Sequence, residues 1–210
     1  MNPVPTFNRK NFKSLCDLVA GIDPDLENII NQYGYPPMWE RSPGFATLVH
    51  IILEQQVSLA SAAAAFTKLQ HRLEIISPEA LLMLTDEELK ACYFSRQKLM
   101  YVKHLAQAIS NQQLDLESLK SKTNADARDA LTKIKGIGNW TADIYLMMAM
   151  QRADLFPVGD IALIASIRET KNIAKSIPKE EVVLLADLWK PYQTIAAYIL
   201  WHAYLGRRKR

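Results

Sequence analysis

Apolar residues recur every three or four positions along most of the chain, and no stretch alternates with the period of two that a strand needs. Leu15, Leu18, Val19 and Ile22 fall on one helical face. So do Phe45, Leu48, Val49, Ile52 and Leu53, and again Leu99, Val102, Leu105, Ala106 and Ile109. The spacing predicts an all-α fold. Start signals agree with it. Asp23-Pro24, Ser42-Pro43 and Ser77-Pro78 each put a capping side chain before a proline at the first helical position. Thr85 with Glu88 reads as a capping box, and Ser58 and Ser95 as further N-caps. About ten helices with short connections are expected.

A chain of 210 residues has room for one sizeable domain or two small ones that share a cleft. With 49% hydrophobic and 22% charged residues, the chain is not disordered, collagenous or membrane-spanning. The longest apolar stretch, Ile195 to Leu205, is interrupted by His202 and falls short of the roughly 20 residues of a membrane span. The N-terminal residues show no apolar run of the secretory kind, so a chain that is not secreted is expected, cytoplasmic or, in a eukaryote, nuclear. The two cysteines, Cys16 and Cys92, make neither a disulfide framework nor a zinc or iron–sulfur motif. His50, His71, His104 and His202 are scattered and read as packing or surface residues.

The net charge is +3, yet Arg207, Arg208, Lys209 and Arg210 end the chain. Without those four, 21 Lys and Arg face 22 Asp and Glu, a charge of −1. Anion binding by the body must therefore come from local geometry.

Such a geometry is legible around residues 131–142. Gly136 and Gly138 flank Ile137, between an amphipathic helix leading in and another leading out from Asn139. Two glycines two apart permit positive φ and leave no Cβ to hold a ligand away. Ile137 can anchor the turn, while backbone N–H groups and the helix start face outward as a phosphate site that needs no basic patch. A helix–glycine–helix turn without a ligand fits the same spacing equally well. Downstream, Phe156 to Leu163 forms an apolar loop with one carboxylate, Asp160, at a helix start. Asp160 reads either as an N-cap or as an isolated carboxylate that stabilises a cationic transition state or acts on a water.

Taken in order, these blocks resemble the helix-hairpin-helix DNA glycosylases of the 3-methyladenine, alkylated-base type. The resemblance runs from about Pro24 to Trp201 and rests on Pro43-Gly44-Phe45 leading to Leu53-Glu54-Gln55-Gln56-Val57-Ser58, on Ile134 to Ala142, and on Phe156 to Leu163. A weaker block is Trp189-Lys190-Pro191-Tyr192 followed by Ala196 to Trp201. It implies two helical lobes around a DNA-binding cleft: residues 1–43 plus 153–210, and residues 44–152 with the helix-hairpin-helix at 124–150. It implies an enzyme that flips a damaged base out of double-stranded DNA and cuts its N-glycosidic bond. Asp160 matches the catalytic aspartate. Trp140 stands where lyase-type relatives carry a nucleophilic lysine, so a monofunctional enzyme is implied.

Trp140 and Trp201 match pocket aromatics, whose faces would attract a cationic alkylated purine; core tryptophan is the competing reading. Ile144 and Ile161 stand at two further pocket positions held by tyrosine in better-known relatives. Trp39 and Trp189 are read as packing. Gln55 and Gln56 match a turn that inserts a side chain into the gap left by the flipped base, with Gln56 the wedge candidate. Lys135, Gly136, Ile137, Gly138 and Thr141 match DNA-backbone contacts, and Ser95 and Lys98 match a further turn that touches a phosphate. Relatives hold a monovalent cation at hairpin carbonyls, here those of Thr132, Ile134 and Ile137. The chemistry requires no redox cofactor and no catalytic metal, and a monomer is expected. The rival readings are a non-catalytic helix-hairpin-helix DNA-binding module, a glycosylase for oxidised or deaminated bases, and a helical bundle with a protein partner.

Overall fold

The computed structural model describes residues 4–208. Among these the chain forms twelve α-helices and two 3-10 helices, with no strand and one isolated bridge between Thr6 and Arg152. In chain order the α-helices are α1 (Phe12–Ile22), α2 (Pro24–Tyr33), α3 (Phe45–Glu54), α4 (Leu59–Arg72), α5 (Pro78–Leu82), α6 (Asp86–Ala91) and α7 (Arg96–Ser110). They continue with α8 (Asn124–Thr132), α9 (Asn139–Met148), α10 (Ile161–Thr170), α11 (Lys179–Leu184) and α12 (Gln193–Arg208). Short 3-10 helices occupy Glu117–Ser121 and Leu185–Trp189.

The chain divides into two units, one of residues 1–40 with 151–210 and one of residues 41–150. The sequence placed these divisions at 43/44 and 152/153. Gln151 and Arg152 belong with the first unit because they bind its N-terminal segment: Phe7 N–H donates to the Gln151 carbonyl at 2.9 Å, and Thr6 bridges to Arg152.

Side-chain caps start the helices where the sequence placed them, with one exception. Asp23, Ser58, Ser77, Thr85, Ser95 and Asp160 each accept a hydrogen bond from a first-turn amide. The exception is Ser42-Pro43. Helix α3 begins at Phe45 behind Gly44, whose φ of +139° and amide bond to Tyr145 Oη at 3.0 Å set the entry instead.

In the first unit, α12 is the central helix, buried from Gln193 to Trp201. Phe7 and Phe12 pack their rings against Tyr198, each 5.7 Å away between centroids. This contact turns α1: its buried residues are Phe12, Cys16, Val19 and Ala20, while Leu18 and Ile22, expected in the core, are exposed. A buried knot joins α2 to the 171–189 segment. Asp23 accepts from Trp189 Nε1 and Lys171 Nζ, at 2.9 and 3.0 Å. Burial pushes the Asp23 carboxyl up, but those donors outweigh it and hold it below the usual carboxylate range.

The terminal basic cluster is partly folded. Arg207 and Arg208 lie in the last turn of α12 and pair with Glu169, and Arg208 also stacks over Tyr204. These two basic residues are thus part of the folded helix; Lys209 and Arg210 lie outside the described residues.

Candidate active site

The second unit carries the hairpin. Helix α8 ends at Thr132, the turn runs through Lys133 to Gly138, and α9 begins at Asn139. Ile137 is buried and anchors the turn, and its N–H donates to the Ile134 carbonyl at 3.0 Å. That amide is thus internal, where the sequence had it among outward-facing donors. The two glycines differ in use. Gly136 takes φ +98°, and a Cβ on it would lie 2.2 Å from the Tyr101 ring. Gly138 has φ −94° and ψ 179°, ordinary extended backbone, with open space around its Cα. Gly138 is the N-cap of α9 and has no side chain with which to cap it. Lys135 is exposed on the turn.

Thr141 does not present its side chain to solvent. It is 2% exposed, and its Oγ1 accepts from Gln55 Nε2 at 2.9 Å. The same Nε2 donates to the Gly136 carbonyl at 2.9 Å. Gln55 is therefore an internal brace in this structure, not a DNA-facing side chain. Gln56 is the exposed member of the pair, at φ +56°. Lys98, expected near a phosphate, donates from Nζ to the Leu53 carbonyl at 2.5 Å, and Ser95 caps α7. Burial holds the Lys98 amine below its ordinary value.

The helices flanking the hairpin are clamped by an ion pair whose carboxylate is buried and whose guanidinium is half-buried. Arg128 Nε on α8 donates to Asp143 Oδ1 on α9 at 2.7 Å. Burial pushes the Asp143 carboxyl up to about 6 against the pull of Arg128. Also on α9, Trp140 is half-buried and Ile144 fully buried. Tyr145 is buried and spends its hydroxyl on Gly44.

The first unit carries Asp160. Pro157 and Gly159 bring the chain to the start of α10, and the Asp160 N–H donates to the Pro157 carbonyl at 2.8 Å. Its Oδ1 accepts from the Leu163 amide at 2.8 Å, so the N-cap role is real. The same oxygen accepts from Trp201 Nε1 at 3.2 Å. Ile161, one residue on, is 85% exposed, whereas Leu163, Ile164 and Ile167 enter the core. Trp201 is 9% exposed and stands edge-on to Trp39, 6.3 Å between centroids. Tyr198 is buried between them and donates its hydroxyl to the Trp39 carbonyl at 2.7 Å. Trp39 thus packs on Tyr198 and Trp201, in keeping with the packing role read from the sequence. Its neighbours lie some 160 residues away along the chain, so no local pattern announces it. Trp189 is core, as expected.

The glycine turn between α8 and α9 is a helix-hairpin-helix in the second unit, and the capped carboxylate lies in the first. The chain belongs to the family whose model matches residues 49–191, the HhH-GPD superfamily base excision DNA repair protein. It is 27% identical over 190 residues to DNA-3-methyladenine glycosylase 1 of Schizosaccharomyces pombe, covering 87% of this chain and 83% of that one. Among solved structures it resembles a DNA-3-methyladenine glycosidase from Bacillus halodurans, with TM-score 0.77, 27% identity and 93% and 91% of the two chains covered. It also resembles the S. pombe 3-methyladenine DNA glycosylase bound to abasic DNA, with TM-score 0.80, 25% identity and 90% and 95% covered. Among the described residues no helix is long and apolar enough to cross a membrane.

Proposed function

We propose that the chain is a monofunctional DNA glycosylase. It flips alkylated purines such as 3-methyladenine out of duplex DNA and hydrolyses their N-glycosidic bond, opening base excision repair. The observation that carries this reading is the Asp160 carboxylate, fixed at one oxygen by the Leu163 amide and the Trp201 indole. Phosphate binding alone gains nothing from a carboxylate held this way. Departure of the base leaves positive charge on the sugar, and a carboxylate fixed beforehand stabilises that charge without reorganising as it forms. An alkylated purine is cationic and already a good leaving group, so one carboxylate suffices where a neutral base would also need an acid. Asp160 then orients or deprotonates the attacking water.

The hairpin supplies the grip. The α9 N-terminus behind Gly138, with Lys135 beside it, takes a backbone phosphate through amide donors and the helix dipole. Such a grip needs no excess of positive charge, which suits a body of net charge −1. To the carbonyls of Thr132, at the end of α8, and of Ile134 and Ile137, in the turn that follows, this reading assigns a monovalent cation, which the negative end of the helix dipole would favour. Ile134 keeps a second lone pair beyond its bond from Ile137. Release of free methylpurine from methylated duplex DNA, and its absence with Asp160→Asn, tests the reading; a protein that binds this DNA and releases nothing is a binding module instead.

A further inference from the structure

Three consecutive residues at the end of α3 are each locked to a different part of the second unit. The Leu53 carbonyl accepts from Lys98 Nζ at 2.5 Å. Glu54 accepts from Arg41 at 2.7 Å, with His50 Nε2 3.7 Å away. Gln55 reaches the hairpin, donating from one nitrogen to the Gly136 carbonyl and to Thr141 Oγ1. Only the next residue, Gln56, is exposed, and its φ of +56° turns the chain outward there. At the other end of α3, the Gly44 amide meets Tyr145 on α9. Helix α3 is thus hydrogen-bonded to the hairpin helix α9 near both of its ends.

The chemistry of the Gln55 link is specific. A carbonyl only accepts, so the amide must turn Nε2 towards Gly136, and its two hydrogens serve the two acceptors. Gly136 sits where only glycine fits, at a φ of +98° and with the Tyr101 ring 2.2 Å from where a Cβ would be. Thr141 is buried and lies in the first turn of α9. One side chain therefore bonds to the apex of the phosphate turn and to the helix start behind it.

We propose that Gln55 is a positioning residue that couples the hairpin's hold on the DNA backbone to the placement of Gln56 in the gap left by the flipped base. The inference rests on the glycosylase reading. Flipping costs a few kcal/mol of stacking, which an inserted side chain offsets only if it is held in register with the phosphate the protein grips. Through Gln55, that register is two hydrogen bonds long.

The test uses the full chain and a duplex with one methylated purine beside 2-aminopurine, whose fluorescence reports unstacking. Gln55→Ala and Gln55→Glu are compared with wild type; glutamate keeps the length but its carboxylate cannot donate. Both are expected to bind undamaged duplex within about twofold of wild type, while single-turnover excision and the fluorescence change fall about tenfold. Because Gln55 acts through Gln56, adding Gln55→Ala to Gln56→Ala is expected to cost nothing further. Thr141→Val, which removes one acceptor, gives a partial loss and serves should Gln55→Ala fail to fold. Excision and fluorescence within about twofold of wild type overturn the coupling, as does a loss of undamaged-duplex affinity in step with excision. Additive losses in the double variant overturn it too. A wild-type chain that releases no methylpurine overturns the glycosylase reading and this inference with it; normal excision by the Gln55 variants overturns the inference alone.

Discussion

Trp201 Nε1 donates to Asp160 Oδ1 across 3.2 Å, joining α12 to the first residue before α10. The sequence offered Trp201 as a face for a cationic base. In the structure its indole N–H is bonded to the carboxylate that the sequence offered as catalytic.

This relationship gives a first expectation. Trp201→Phe keeps an aromatic ring against Trp39 and Tyr198 and removes only the donor. Excision under single-turnover conditions should slow about tenfold, in line with losing one hydrogen bond to a charged group. Affinity for undamaged duplex should stay near wild type. In an Asp160→Asn background the same change should add nothing; a further loss there would mean that Trp201 acts by some route other than Asp160.

The two hairpin glycines should fail in different ways. Gly136→Ala forces a side chain into φ +98° and into the Tyr101 ring. It should cost at least about 2 kcal/mol in urea unfolding. Gly138→Ala has open space and an ordinary φ. Its fold should lose about 1 kcal/mol or less. Its DNA affinity should nevertheless drop, because the methyl group stands where the phosphate approaches. Unchanged duplex affinity for a folded Gly138→Ala would remove the hairpin from the interface.

Asp143 sets a pH dependence. Its folded value is about 6, above the roughly 3.9 of an unfolded aspartate. A raised acid value means that the folded state holds its proton more tightly. The stability it contributes is complete below about pH 4 and lost as the pH rises through about 6. Asp143→Asn, which cannot ionise, should flatten that slope. The difference in unfolding free energy between variant and wild type should shift by something on the order of 2 kcal/mol across this range, towards the variant at higher pH. A pH-independent difference would contradict the burial argument.

Much of this architecture was legible because its determinants are local. A cap hydrogen bond spans three residues, so Ser58, Ser77, Thr85, Ser95 and Asp160 announce their helices in sequence. Apart from the Ile137 amide, which turns inward to the nearby Ile134 carbonyl, the misreadings come from a decisive partner far along the chain. The entry to α3 is set by Tyr145 Oη, not by Ser42. The buried face of α1 is set by Phe12 against Tyr198. At the candidate site, Asp160, the glycines and Ile137 were visible as a spaced pattern. The inward turn of Gln55 and Thr141 was not, because their hydrogen bond joins residues 86 apart. Nor were the packing partners of Trp39, which come from α12.

The residue after Asn139 predicts the chemistry of the product. Trp140 opens α9 with no amine, and Lys133 and Lys135 lie before it in the turn. The protein should leave an unbroken strand with an abasic site. Borohydride should trap no covalent complex; trapping that persists through purification and is lost in a lysine variant would assign a lyase instead.

The most direct measurement is base release from a panel of single-lesion duplexes, with wild type beside Asp160→Asn. Wild type should release alkylated purines. The variant should bind the same duplexes and release them about 10²–10³-fold more slowly, the loss expected when a fixed charge facing the transition state is removed. Release by Asp160→Asn at the wild-type rate would contradict the assignment of Asp160 on which this account of the chain rests.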